Sequence, residues 1–319
     1  MDQDLAEETA PMKIVIAHPD DNANALWCQD LSQRLPKAQV RSWPVDWPEA
    51  DYAIAWKPAA DFFQKLSIGR ALFCAGAGVD HLLRLPGLPA QLPVVRVEDA
   101  GMGIQMVHYC LLEALRVYRR DDDYARQQRQ RHWHDFDYDP PSAFTVGVFG
   151  IGALGAQVAQ ALRGLGFTVI GYSRSQRTLE GVECYSGTDG LSAFLARCRM
   201  LVLLAPHTPD TENFFDQTRL AMLPRGAWLV NAARGALVVD NDLLDALDCG
   251  ALAGASLDVF HTEPLPKQHR FWTHPQVRIT PHCAAATVLE ETASQIAGKI
   301  AQLERGEPVS GLIDRQRGY

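Results

Sequence analysis

What this chain lacks narrows its function first. It has no uninterrupted apolar stretch approaching the roughly eighteen residues that a membrane span needs. Its seven cysteines are scattered, odd in number and free of any C-x-x-C pair. That argues against a disulfide frame or a zinc ribbon and fits the reduced thiols of a cytoplasmic protein. None of the ten histidines falls in an H-x-x-x-H or H-E-x-x-H pattern, so no metal is expected. There is no basic excess. Thirty Lys and Arg face thirty-eight Asp and Glu, a net charge of -8, whereas phosphate neutralisation needs clustered cations, so no nucleic-acid partner is expected. Repeats and low-complexity tracts are absent. The opening residues, Met1 to Glu8, are acidic and carry no apolar signal core. They read as a disordered lead-in, with the folded part starting near Met12.

What is present is material for two buried cores. The chain has 319 residues, 47% of them hydrophobic, a length that suggests two domains. Met12 to Ala17, Val40 to Trp43, Tyr52 to Trp56 and Ala71 to Cys74 read as strands, and Asn24 to Leu35 as a helix ended by Pro36. Alternation of strands and helices points to an α/β domain with a parallel sheet. Gly101 to Arg120 reads as a helix, with Ile104, Val107, Leu111, Leu115 and Tyr118 at helical spacing. A charged, aromatic stretch follows, Asp121 to Asp139, containing His132-Trp133-His134. Then the alternation resumes. Thr145 to Phe149, Phe167 to Tyr172, Met200 to Leu204, Trp228 to Asn231, Ala255 to Val259 and Val277 to Thr280 read as strands. Thr292 to Glu304 reads as a last helix.

The first of these later strands runs into Gly150-Ile151-Gly152-Ala153-Leu154-Gly155. A Gly-x-Gly-x-x-Gly run alone is weak, but here a strand precedes it, a helix starts inside it and a second strand follows. Gly150 permits the tight turn, Gly152 lets the backbone approach a pyrophosphate, and Gly155 lets the helix pack on the sheet. The helix N-terminus at Ala153 and Leu154 offers N–H groups and a positive dipole to the phosphates. A site for NAD places a carboxylate at the end of the second strand. Ser173 stands there instead, in Ser173-Arg174-Ser175-Gln176-Arg177. Hydroxyls and guanidinium groups bind a 2′-phosphate that a carboxylate would repel. NADP(H) is therefore expected over NAD(H), with Arg174 as the main contact and Ser173, Ser175 and Arg177 assisting.

Three segments at strand ends carry candidate chemistry: Asn231-Ala232-Ala233-Arg234-Gly235, Asp258-Val259-Phe260-His261-Thr262-Glu263-Pro264, and Thr280-Pro281-His282. With the glycine run they resemble the D-isomer-specific 2-hydroxyacid dehydrogenase family over nearly the whole chain. The Gly76-Ala77-Gly78-Val79-Asp80 loop, Asp99-Ala100-Gly101-Met102-Gly103, the Ser-Arg-Ser run and the Asp314 to Tyr319 end resemble its glyoxylate/hydroxypyruvate reductase A branch. Physical chemistry supports the same roles. Reducing a 2-keto acid needs a cationic anchor, a proton donor and a hydride donor. Arg234 can grip the carboxylate and carbonyl with its planar fork. His282 can protonate the carbonyl oxygen, and Glu263 beside it would orient the ring and favour imidazolium. The resemblance implies that backbone N–H groups of Ala77, Gly78 and Val79 bind the substrate carboxylate. It places Asp258 near the nicotinamide carboxamide, with Pro206 and Thr208 lining the adenosine side. Ala232, Arg234 and His282 also fall within the implied cofactor contacts. The remaining histidines, among them His261 and His269, read as structural or surface groups.

The resemblance also implies a fold of two Rossmann-like or flavodoxin-like α/β domains with parallel sheets. Residues 1 to 100 and 286 to 319 would form a split substrate domain, and residues 101 to 285 an inserted dinucleotide-binding domain. Position along the chain alone would suggest two domains in series. A homodimer is implied, with the stretch before the glycine run at its interface and Trp133 reaching the partner's substrate. The expected activity is NADPH-dependent reduction of a small 2-keto acid, glyoxylate or hydroxypyruvate. Another dehydrogenase of larger 2-keto acids is the nearest alternative. A nucleotide-sensing, corepressor-like binding protein is the alternative from a different class, because such proteins can keep the same three residues.

Overall fold

Short aliphatic runs beside polar turns set the strands of this protein, whose computed structural model describes residues 10–318. The acidic lead-in, Met1 to Glu8, therefore lies outside the described residues. The chain divides into two compact units, one of residues up to Ala100 together with Thr287 onward, the other Gly101–Ala286.

In the first unit, β1 (Lys13–Ala17), β2 (Gln39–Ser42), β3 (Glu49–Ala55), β4 (Ser67–Cys74) and β5 (Val94–Arg96) form one parallel sheet in the order β2-β1-β3-β4-β5. That is the flavodoxin-like winding. Helices α1 (Asp21–Arg34), α2 (Phe62–Lys65) and α3 (Asp80–Leu83) connect the strands. Phe62, Leu72 and Leu82 are fully buried in its core, each contributing about 1.5–3 kcal/mol through removal from water. β3 begins three residues before the expected Tyr52. Its register shifts between Ala50 and Tyr52, where the Asp51 side chain accepts from Lys13 N (2.8 Å).

The second unit opens with α4 (Met102–Tyr118) and α5 (Asp121–Gln130). Then come β6 (Thr145–Phe149), α6 (Ala153–Gly164), β7 (Thr168–Ser173), β8 (Glu183–Ser186), α7 (Gly187–Leu195) and β9 (Met200–Leu203). The unit closes with α8 (Gln217–Leu220), β10 (Ala227–Asn231), α9 (Asp240–Asp248), β11 (Leu252–Leu257) and β12 (Val277–Ile279). Its seven parallel strands lie in the order β8-β7-β6-β9-β10-β11-β12. Strand order reverses between β6 and β9, the switch point at which Rossmann sheets bind nucleotides. Phe194, Phe215 and Leu229 fill one face of this sheet and Val148, Leu162 and Val202 the other. The chain then returns to the first unit with α10 (Leu289–Glu304).

Several elements have no counterpart in the sequence reading, among them helices α2, α3, α7, α8 and α9 and the three that follow. β5 is only three residues long. β8, Glu-Cys-Tyr-Ser, is a polar edge strand with no apolar run. Helix α5 has no apolar face. Its acidic first turn instead meets basic partners, Asp122 pairing with Arg278 and Asp123 with Arg120 and Arg126. Among the described residues, no helix is long and apolar enough to cross a membrane.

Candidate active site

Six adjacent strands of the second unit deliver the candidate residues to one carboxyl edge. At the switch point, Gly150 follows β6 with φ +108°, a backbone conformation that side chains disfavour, and a Cβ there would lie 2.4 Å from Ala205 N. A Cβ on Gly155 would lie 2.0 Å from Gly150 O, so the start of α6 touches the turn directly. Gly152 differs. A Cβ there would meet no atom within 4 Å, and no side chain caps α6. The open space and uncapped amides fit a phosphate group. Gly150 N donates to Tyr172 O (2.9 Å), which brings Ser173 at the end of β7 alongside the turn. Ser173 Oγ donates to Ser175 O (2.8 Å), and Arg174 Nη1 lies 4.0 Å from Asp210 Oδ2. The Arg174 side chain is half exposed. After β9, Thr211 Oγ1 donates to Pro206 O (2.7 Å) and accepts from Thr208 N (2.8 Å), shaping that loop.

Arg234 follows β10. Buried Asn231 staples its loop, donating through Nδ2 to Arg234 O (2.9 Å) and accepting from Ala233 N (3.1 Å). Arg234 Nη1 donates to Ala233 O (2.7 Å), which orients the guanidinium. Gly235 then has no room for a side chain. Its Cβ would lie 2.0 Å from the carbonyl carbon of Phe260, so the Arg234 segment rests on the backbone of the next loop.

That next loop follows β11 and carries Glu263. Glu263 Oε1 accepts from Phe260 N (3.1 Å), while Oε2 lies 2.8 Å from His282 Nδ1. His282 follows β12 with φ +53°, a left-handed conformation worth of order 1–3 kcal/mol in strain. Buried Asp258 holds that turn. Its carboxylate accepts from Thr280 Oγ1 (2.6 Å), Cys283 N (2.9 Å) and Ala284 N (2.9 Å), and its carbonyl from His282 N (2.7 Å). Tyr109 on α4 extends the chain to Thr280 Oγ1 at 3.1 Å. Because Glu263 occupies Nδ1, the opposite nitrogen of His282 is the one placed to exchange a proton with a ligand.

This edge, with a glycine turn, an arginine and a Glu-His pair, is what a hydride-transfer enzyme of small acids requires. Residues 111–284 match the family description "D-isomer specific 2-hydroxyacid dehydrogenase, NAD binding domain". The chain belongs to the D-isomer-specific 2-hydroxyacid dehydrogenase family. It is 45% identical over 314 residues to a glyoxylate/hydroxypyruvate reductase A of Serratia proteamaculans, covering 97% of this chain and 100% of that protein. A crystal structure of an NADPH-dependent glyoxylate/hydroxypyruvate reductase of Sinorhizobium meliloti, in complex with NADP and sulfate, superposes with a TM-score of 0.90. It is 36% identical, and the match covers 97% of this chain and 100% of that one. A D-isomer specific 2-hydroxyacid dehydrogenase of Xanthobacter autotrophicus, in complex with NADPH and MES, superposes at 0.91 with 36% identity, covering 98% and 100%.

Within this 2-hydroxyacid dehydrogenase, Ala77, Gly78 and Val79 belong to the first unit. They follow β4, the edge where open parallel sheets bind ligands. Cys74 Sγ donates to Gly78 O (3.4 Å), and the Val79 carbonyl accepts from Leu82 N (2.9 Å) and Leu83 N (3.1 Å) of α3. The indole of Trp56 lies against Gly76, where a Cβ would come within 2.3 Å of it. Trp133 is 99% exposed, beyond the end of α5. Asn231, Thr280 and Tyr109, to which the sequence assigned no individual role, bond to the turns that carry Arg234 and His282. Asn231 had a local signal, an Asn three residues before the arginine whose side chain can bond its own turn. Tyr109 had none, since it reads as one more apolar position on α4.

Proposed function

We propose that this chain reduces glyoxylate and hydroxypyruvate to glycolate and D-glycerate, with NADPH preferred over NADH. The observation that carries this reading is the 2.8 Å contact of Glu263 with His282 on the same sheet edge as the glycine turn and Arg234. The named activity and NADPH dependence of the similar reductases support it. Gly150, Gly152 and Gly155, with the amides of Ala153 and Leu154, would hold the pyrophosphate. Ser173, Arg174, Ser175 and Arg177 would hold the 2′-phosphate. Pro206, Thr208 and Ala232 would line the nucleotide, and Asp258 the nicotinamide carboxamide. When bound, the reduced nicotinamide supplies a hydride to C2 of the keto acid. Arg234 anchors the carboxylate and polarises the carbonyl. Glu263 fixes the imidazole of His282, which delivers the proton to the carbonyl oxygen. In the first unit, the amides of Ala77, Gly78 and Val79 are assigned to the substrate carboxylate. That unit is the substrate domain in this reading, and Gly101–Ala286 the cofactor domain.

The enzyme is assigned to the cytoplasm, in keeping with seven free cysteines. It is assigned as a homodimer. Exposed Ile104, Leu112 and Leu115 on α4, with the wholly exposed Trp133, supply apolar surface for a second copy, and Trp133 is assigned to the partner's substrate. Trp133→Ala is expected to lower turnover or dimer mass, and both assignments fall if neither changes.

The decisive experiment follows NADPH and NADH consumption with glyoxylate, hydroxypyruvate, phenylpyruvate and longer 2-keto acids. Glyoxylate and hydroxypyruvate with NADPH are expected to be fastest. Preference for a larger acid would reassign the substrate, and no turnover with any of them would point to a binding role. His282→Gln is expected to lower kcat by roughly 10²–10⁴-fold, far more than it changes NADPH affinity.

A further inference from the structure

The loop that carries Glu263 is tied down by side chains that the reaction does not use. After β11 the chain runs past Phe260, His261 and Glu263 to His269, then forms a short 3-10 turn, Arg270–Thr273. This segment lies along α9 and is bound at both ends of that helix. At the far end, Asp248 meets Arg270 Nη2 (2.9 Å) and His274 Nε2 (3.2 Å). At the near end, Asp240 opens α9, and its carboxylate lies between two imidazoles. His261 Nε2 is 3.7 Å from Oδ1 and His269 Nε2 is 3.4 Å from Oδ2.

The surrounding bonds fix which imidazole nitrogens donate. His269 Nδ1 accepts from Phe271 N (3.3 Å), so its Nε2 carries the hydrogen that faces Asp240. His261 Nε2 lies 2.8 Å from Val238 O, which can only accept, so this nitrogen is also a donor. Burial raises the Asp240 pKa from the ordinary carboxylate value, and the two histidines act against that rise. Asp240 is thus a partly desolvated carboxylate that faces the His269 Nε2 hydrogen, while His261 stands beside it with its one Nε2 hydrogen given to Val238 O.

Its placement matters for catalysis. Val238 and Asp240 follow the Arg234–Gly235 segment within a few residues, and Gly235 already rests on Phe260 and His261. His261 is two residues from Glu263 and one from Phe260, whose N–H holds Glu263 Oε1. The three side chains therefore join the anchor segment to the loop that orients the proton donor. We propose that Asp240, His261 and His269 form a clasp that positions Glu263 against His282, with Asp240 and His261 as positioning residues for the proton transfer. This rests on the functional reading above, in which His282 is the donor.

The test combines hydrogen exchange with kinetics on the full-length enzyme, comparing Asp240→Ala and His261→Ala with Asp248→Asn. Asp240→Ala and His261→Ala should each speed amide exchange at Phe260. Each should lower kcat about tenfold, a fraction of what a positioned proton donor supplies, while KM for keto acid and NADPH stays unchanged. Adding Asp240→Ala to Glu263→Gln should lower kcat no further, since both act through one contact. His261→Asn, whose amide can still donate to Val238 O, should recover part of the loss. Asp248→Asn should loosen only the far end and leave kcat unchanged. Unchanged exchange at Phe260, faster exchange with unchanged kcat, or losses that multiply in the double variant would each overturn the proposal. Absence of turnover in the unmodified enzyme would refute the functional reading and the positioning role together, while exchange at Phe260 would still show whether the clasp holds the loop.

Discussion

In each unit the first strand turns into a helix, and the two turns are finished in opposite ways. In the first unit, β1 leads through His18-Pro19-Asp20 into α1. Asp20 Oδ1 accepts from Asn22 N (2.8 Å) and Ala23 N (3.1 Å). Buried Asn24 closes the turn further, accepting from His18 N (3.0 Å) and donating to His18 O (2.8 Å). In the second unit, β6 leads through glycines into α6, which no side chain caps. The first helix meets its own carboxylate, and in the functional reading above the second leaves its amides for a ligand's charge. Both arrangements satisfy the same unpaired N–H groups. In the functional reading proposed above, an uncapped terminus on a glycine turn is what separates a phosphate site from a purely structural turn.

The strongest way to break this contrast is to give α6 a carboxylate of its own. Gly152→Asp places that group where a Cβ meets only open space, so the fold should persist with little change in Tm. NADPH affinity should fall by about 100-fold or more, roughly 2.7 kcal/mol, read from a fluorescence titration. Retained affinity would mean that the α6 terminus is not the phosphate site. Next in size is Arg174→Ala. Loss of a charge-assisted contact to the 2′-phosphate should raise KM for NADPH about tenfold and leave KM for NADH alone. If the two constants rise together, the arginine does not select the cofactor. The smallest effects belong to the first unit. Asp20→Ala removes a cap and should cost about 1 kcal/mol, seen in thermal or urea unfolding, with both coenzyme constants unchanged. Asp20→Gly should cost only a few tenths of a kcal/mol. It should create no nucleotide affinity, because His18 and Pro19 still occupy the turn. Affinity gained there would show that an open helix terminus is sufficient by itself.

The same contrast shows how far the sequence could be read. The glycine run, the Ser-Arg-Ser segment and the Arg, Glu and His residues stand out as candidates because each lies in a short contiguous stretch with its own chemical signature. Glu263 and His282 also meet as the sequence suggested, although nineteen residues separate them. What stayed hidden depends on contacts that only the folded sheet creates. Tyr109 reaches Thr280 across 171 positions, and Ser256 donates to buried Glu113 at 2.5 Å across 143. His261 and His269 read as ordinary surface histidines because nothing near them in the chain announces Asp240. Helix α5 lacked the apolar spacing that marks a helix, since ion pairs rather than a buried face hold it. The alternation of strands and helices showed two α/β units, but not that the first is interrupted. That came only from resemblance to a known family, because hydrophobic periodicity does not reveal which strands share a sheet.

The interruption has a consequence for how the protein is made. The closing contacts of the first unit come from the end of the chain. Ile313 N donates to Val94 O (2.9 Å), Arg96 N to Gly311 O (2.9 Å), and Lys299 Nζ to the carbonyls of Arg96 (3.0 Å) and Ser310 (2.8 Å). A ribosome makes these partners only after every residue of the second unit. The nucleotide-binding unit is continuous and can close on itself during translation. The five strands made first must wait beside it with an uncovered edge, the state most open to aggregation. A premature stop just after α10 would thus do more than trim a tail. It would release a nascent chain whose earliest-made sheet has no closing edge, a product for chaperones and proteases to clear.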